Sequence, residues 1–182
     1  MKISRITILA TAILGSSLTM AADPAQGGKV HFVGTIVNAA CAISADSVEQ
    51  TVKLGEYRSA HFTATGDKSG IVPFNINLVD CDTTVSKQAT VKFNGVADLN
   101  DATVLAVSNT TNGASGAATG VGIEIADAQG KVLTPNNVVE SSAYTLNNGN
   151  NSLGFSARYK STTDTVTPGE ANADATFTIS YL

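Results

Sequence analysis

Apolar and polar residues alternate with a period of two along much of this chain, the pattern of strands with one buried face. Val72, Phe74, Ile76 and Leu78 alternate with Pro73, Asn75 and Asn77. Val91 and Phe93 flank Lys92 ahead of Asn94-Gly95, and Val121, Ile123 and Ile125 alternate with Gly122 and Glu124. Leu153, Phe155, Ala157 and Tyr159 share one face of a further segment, and Ala175, Phe177, Ile179 and Tyr181 share one face of the last. Residues 51–55 read as a short strand ending in glycine. Helical signals are scarce. Polar, glycine-rich stretches separate the strands: 108–120, 162–172 with Pro168-Gly169 inside it, and 147–151, which predicts a hairpin turn between 144–146 and the Leu153 strand. Short strands at intervals with turns between them predict one all-β sandwich with no internal domain boundary.

The same period of two appears near the amino terminus. Gly28, Val30, Phe32, Gly34 and Ile36 fall on one face of an extended segment, with His31 on the other. A terminal arm is poorly ordered unless something pins it. An arm with an apolar face wants a sheet edge to dock on, and the pattern alone leaves open whether that edge is its own domain's or a neighbour's.

Cys81 breaks the rhythm, being out of phase with Phe74, Ile76 and Leu78. A bulge near Val79-Asp80 is needed if both sets point inward.

Upstream of the arm, Lys2 and Arg5 precede an apolar run over 6–14, and Thr19-Met20-Ala21 is a small-x-small ending. These predict a secretory leader over 1–21, cut before Ala22; the run is too short to span a bilayer. Loss of Lys2 and Arg5 takes the balance from 11 basic against 15 acidic residues to 9 against 15, a net charge near −6. Such a balance argues against nucleic acid as a partner. About 160 residues remain, enough for one domain with a core of its own. In an exported chain, the pair Cys41 and Cys81 favours one disulfide over a metal site, because neither has a Cys or His at ligand spacing. Closing that loop is worth roughly 3–4 kcal/mol in the chain-entropy account.

Candidate chemistry is thin. His31 and His61 have no nucleophile motif beside them, and no G-x-S-x-G elbow is present. Asp80 and Asp82, and Asp98 with Asp101, offer paired oxygens but lack the glycine and distal Glu of an EF-hand loop. Gly120-Val121-Gly122 is only a fragment of a nucleotide fingerprint. With no Trp and four Tyr, aromatic platforms for sugar binding are few. The reading is therefore of a non-enzyme with no catalytic residues, metal or cofactor.

Several stretches, in order and spacing, carry a resemblance: the arm, Val37-Asn38-Ala39-Ala40-Cys41, Gln50-Thr51-Val52-Lys53-Leu54-Gly55, Leu78-Val79-Asp80-Cys81-Asp82, Gly120-Val121-Gly122-Ile123, the run from Pro168 to Phe177, and a penultimate tyrosine, Tyr181. Over essentially its whole length the chain resembles the pilin subunits of chaperone–usher fimbriae, type 1 major pilins in particular. The resemblance implies an immunoglobulin-like sandwich that lacks its final strand, with an apolar groove beside the carboxy-terminal strand. It also implies donor-strand complementation, a form of β-augmentation: a periplasmic chaperone fills the groove first, and the arm of the next subunit replaces it. The implied organisation is a signal peptide over 1–21, a donor arm over 22–37 and a pilin domain over 38–182. Gly28, Val30, Phe32, Gly34 and Ile36 become the inward-facing donor residues, Gly28 standing where exchange begins and a side chain would clash. Gly169, Ala175, Phe177, Ile179 and Tyr181 become the acceptor-groove and chaperone-recognition residues, and Cys41–Cys81 the family disulfide.

The implied function is the major structural subunit of an adhesive fimbria, exported through the periplasm to the cell surface. The implied partners are identical subunits, a chaperone, an outer-membrane usher, and minor or tip pilins. The alternative is a minor or tip pilin that binds a receptor itself. Tip adhesins resemble two domains, however, and this chain has room for one.

Overall fold

The computed structural model describes residues 27–36, 39–108, 116–136 and 139–182. The predicted leader, its cut before Ala22, Val37, Asn38 and the middle of the 108–120 loop lie outside the described residues. The chain divides into two units, Met1–Thr35 and Ile36–Leu182. In the first, residues 27–35 carry no helix or strand, and Val30, Phe32 and Val33 are exposed.

In the second unit the described residues form eight strands: β1 (Ala42–Ile43), β2 (Val72–Cys81), β3 (Gln88–Gly95), β4 (Leu105–Ala106), β5 (Val121–Asp127), β6 (Tyr144–Thr145), β7 (Gly149–Ser161) and β8 (Ala175–Tyr181). A one-turn helix α1 (Ala45–Val48) and a 3-10 turn at Ser59–His61 are the helical elements among them. One sheet has the order β1-β2-β7-β5-β4, the other β6-β3-β8, with antiparallel pairing throughout. This is the all-β sandwich that the alternation predicts, in the immunoglobulin-like form that the resemblance implies.

The alternating residues face one another between the sheets. Ile76, Leu78 and Leu153 from the larger sheet are buried in one cluster with Ala89, Val91 and Phe93 from the smaller. Phe74 sits directly opposite Phe155 across β2 and β7, and their rings stack at 5.7 Å. Phe93 meets the edge of Phe155 at 5.4 Å and of Phe74 at 6.3 Å, bridging the two sheets. Each such contact adds about 0.5–1.5 kcal/mol beyond area burial.

The out-of-phase cysteine is resolved as its spacing demands. The register of β2 against β7 slips between Leu78 and Cys81, and Asp80 adopts a positive φ of 52°. The slip turns Cys81 into the core, where it is bonded to Cys41.

Three local expectations change. Residues 51–55 are not a strand: Val52 and Leu54 are half-buried and their neighbours exposed, but no backbone ladder forms there among the described residues. The asparagine-rich turn does not close a hairpin. Residues 144–145 pair with β3 in the opposite sheet, so 146–149 is a corner between sheets. Asn151 fastens that corner, its side chain accepting from the Asn147 N–H at 2.9 Å and donating to the Asn147 carbonyl at 2.7 Å. Tyr144 is drawn across by its ring on Phe155 and by a 2.6 Å hydrogen bond from its hydroxyl to the Gly154 carbonyl.

The polar face of β5 is also buried. Glu124 is 2% exposed and is enclosed by Lys68 (2.9 Å), Arg158 (2.6 Å) and Lys160 (3.9 Å). Burial pushes its carboxyl up, but hydrogen bonds and charge from Lys68 and Arg158 outweigh that and hold it low. The segment that brings Lys68 there is pinned to β7, with Ser161 donating to the Asp67 carbonyl (2.9 Å) and Ser69 to that of Tyr159 (3.0 Å).

Candidate functional site

β8 pairs with β3 along its length, from Ala89↔Tyr181 to Gly95↔Ala175. Its other edge has no strand partner among the described residues. Beside that edge a groove of about 1050 Å³ opens between the two sheets. Phe74, Ile123, Ile125 and Ala157 of the larger sheet form its floor, with Phe93 and Phe177 from the smaller sheet. Residues 47–55, with Leu54 turned inward, form one wall, and 171–177 form the other. The absence of a ladder on 51–55 has its explanation here: this segment and β8 stand on either side of a vacant strand position. An unpaired strand edge and an open apolar trough are each unfavourable in water.

The sequence-derived acceptor residues separate into three places. Ala175 and Phe177 line the groove. Ile179 and Tyr181 continue the same face but pack against the core, Ile179 opposite Val91 and Tyr181 opposite Ala89. The Tyr181 hydroxyl donates to the Cys41 carbonyl at 3.1 Å, and burial pushes its pKa up. Gly169 is outside the groove lining. It lies against the backbone of Gly116, Ala117 and Ala118, where a Cβ would collide with main-chain atoms. The donor residues Gly28, Val30, Phe32 and Gly34 belong to the first unit, and Phe32 is 93% exposed; Ile36, at the start of the second, is 100% exposed.

Leu54, Phe74, Phe93, Ile123, Ile125, Ala157 and Tyr159 line the groove and were read from sequence only as strand or core positions. Their alternation is that of any core strand, so no sequence signal marks them as the floor of an opening.

The groove has no acid–base or nucleophilic constellation; Glu49, Lys53 and Asp174 are its charged members. Outside it, the candidate oxygens are spent on turns. Asp82 accepts from the Thr84 N–H and hydroxyl, and Asp98 from the N–H groups of Asn100 and Asp101. His61 lies 3.2 Å from the Lys68 carbonyl with its ring on Phe62. Among the described residues no cluster of His, Cys, Asp and Glu is placed to hold a metal ion, and no helix is long and apolar enough to cross a membrane.

Known proteins agree on what such a chain is. The profile of the fimbrial protein family matches residues 30–182. The fimbrial subunit type 1 of Salmonella typhimurium is 48% identical over 177 residues, covering 95% of each chain. Among solved structures, a chain from a chaperone–usher pilus studied for rod uncoiling superposes with a TM-score of 0.72 at 29% identity, over 90% of this chain and all of that one. The P pilus rod subunit PapA gives 0.66 at 27% identity, over 79% and 100%. An all-β sandwich with a vacant strand position, matched over most of its length by type 1 and pilus-rod subunits, is a structural and not an enzymatic protein, and the chain belongs to the fimbrial protein family.

Proposed function

We propose that this chain is the repeating shaft subunit of a chaperone–usher fimbria, joined to its neighbours by donor-strand complementation. One observation carries the reading: a β8 edge with no strand partner among the described residues, beside an apolar groove, in a chain whose arm bears a row of apolar residues at strand spacing. The arm of one subunit lies in the groove of the next, with Gly28, Val30, Phe32, Gly34 and Ile36 facing inward. Burying Val30, Phe32 and Ile36 contributes about 4.5–9 kcal/mol, at about 1.5–3 each. Main-chain hydrogen bonds along β8 add roughly 1 kcal/mol net apiece. Such a strand leaves only when the host core opens, which suits a filament under load.

Beyond the adjacent residues, a Cβ built at Gly28 or Gly34 meets no described atom within 4 Å. A docked arm supplies a demand for glycine, since its main chain must approach the groove closely at those points.

On this reading a periplasmic chaperone fills the groove before assembly, an outer-membrane usher exports the subunit, and the product is an adhesive filament outside the cell. The names of the relatives favour a shaft subunit over a tip pilin. Deleting residues 22–36 tests the proposal. The truncated chain should still bind chaperone and accept the arm of an intact subunit but should never donate one; filaments built from it alone would refute the donor role.

A further inference from the structure

Tyr159 links the floor of the groove to its rim. It sits on β7 opposite Ile123, its ring lines the groove, and its hydroxyl donates to the Ala171 carbonyl at 3.0 Å. Residues 171–174 are the lip that precedes β8. Their described backbone pairing is narrow: Asn172 and Ser108 exchange hydrogen bonds at 2.8 and 3.2 Å, and pairing with β3 begins only at Ala175. Tyr159 itself is held firmly. Its N–H donates to Ser69 Oγ at 3.0 Å, its carbonyl accepts from the Ser69 N–H at 3.0 Å, and Tyr57 packs edge-on against its ring at 5.9 Å.

We infer that Tyr159 is a positioning residue for the groove: its hydroxyl fixes the Ala171 end of the lip at the spacing an incoming extended strand requires. The inference rests on the groove being a strand acceptor. A lip free to drift spends less time in the receptive position, and the apparent affinity falls by that fraction. Removing one such hydrogen bond shifts the ratio of receptive to drifted lip about five-fold, and the receptive fraction falls by up to that factor. The loss falls on association, because the incoming strand needs the lip in place. Dissociation is spared, because a seated strand holds the lip through its own ladder.

The test uses the full mature chain, freshly refolded, and a fluorescein-labelled synthetic peptide of residues 27–36. Wild type, Tyr159→Phe and Phe177→Asp are compared by stopped-flow anisotropy and by amide hydrogen exchange. Wild type should bind the peptide and Phe177→Asp should not. Tyr159→Phe should associate more slowly, by up to about five-fold, with dissociation unchanged and with faster exchange confined to 171–174. Association at the wild-type rate would overturn the inference while leaving the acceptor reading intact. So would dissociation shifting along with association, which would mark Tyr159 as an ordinary structural residue. Failure of wild type to bind would instead sink the acceptor reading, and this inference with it.

Discussion

Phe93 and Phe177 are direct partners across β3 and β8 with ring centroids 6.4 Å apart, yet Phe93 is buried and Phe177 only half-buried. The difference marks where the core ends and the groove begins. Phe177→Ala should therefore cost the chain alone about 1–2 kcal/mol, below the roughly 3–5 of a fully enclosed phenylalanine. With the arm peptide bound, the loss should approach the larger figure. Urea titrations with and without the peptide of residues 27–36 measure both, and equal losses would return Phe177 to the ordinary core.

Phe32 is 93% exposed in the chain that carries it, and on the proposed reading it is buried only in a neighbouring subunit. Phe32→Asp should leave that chain's stability within about 0.5 kcal/mol of wild type. It should abolish filaments, because a carboxylate cannot be taken unpaired into an apolar trough. His31→Asp, on the opposite face, should still assemble. Electron microscopy of the two variants decides, and wild-type filament yield from Phe32→Asp would contradict the assigned donor face.

One share of the acid sensitivity should be traceable to a single ion pair. Burial would raise the Asp101 carboxyl, but hydrogen bonds from Lys160 and Thr103 and the Lys160 charge bring it down to about 2. A carboxyl lowered by folding stabilises the native state above its unfolded pKa of about 3.9, and that stability is lost as pH falls through the folded value. The window is thus about pH 4 down to about pH 2, with roughly 2 kcal/mol at stake. In Lys160→Met most of this step should vanish from a plot of unfolding free energy against pH. An unchanged step would assign the acid loss to other carboxylates.

The Cys41–Cys81 bond spans 40 residues, and its reduction should cost about 4 kcal/mol in the chain-entropy account. Because the Cys41 carbonyl receives the Tyr181 hydroxyl, reduction should also speed amide exchange at the end of β8. Exchange measured with and without reductant tests this. Unaltered protection at residues 179–181 would separate the disulfide from the strand.

Gly169→Ala should lower the stability of the whole chain by about 2 kcal/mol or more, because the added methyl meets backbone and not a yielding side chain. Arm binding per folded molecule should be unchanged. A selective loss of arm binding at full stability would place Gly169 in recognition after all.

What could be read in advance follows from physical reach. β2, β3, β7 and β8 were legible because a strand with one wet face writes its orientation into alternate residues. Glu124 was not, since the cations that allow its burial lie 56 residues upstream at Lys68 and 34 downstream at Arg158. The asparagine corner was recognised as a reversal, but local turn chemistry does not say which sheet receives the next strand. Residues 51–55 carry a strand's pattern without a strand's partner. For the same reason the groove was invisible as a shape: Ile125 and Ala157 look alike in sequence whether the layer above them is present or missing.

Among the described residues β8 is laced on one side only, to β3. In a filament joined as proposed, every interior protomer has that open seam sewn shut by its neighbour, and the protomer at an unfinished terminus does not. Wear should therefore begin at the extremities, and the durability of the whole should depend more on how its ends are sealed than on how long it is.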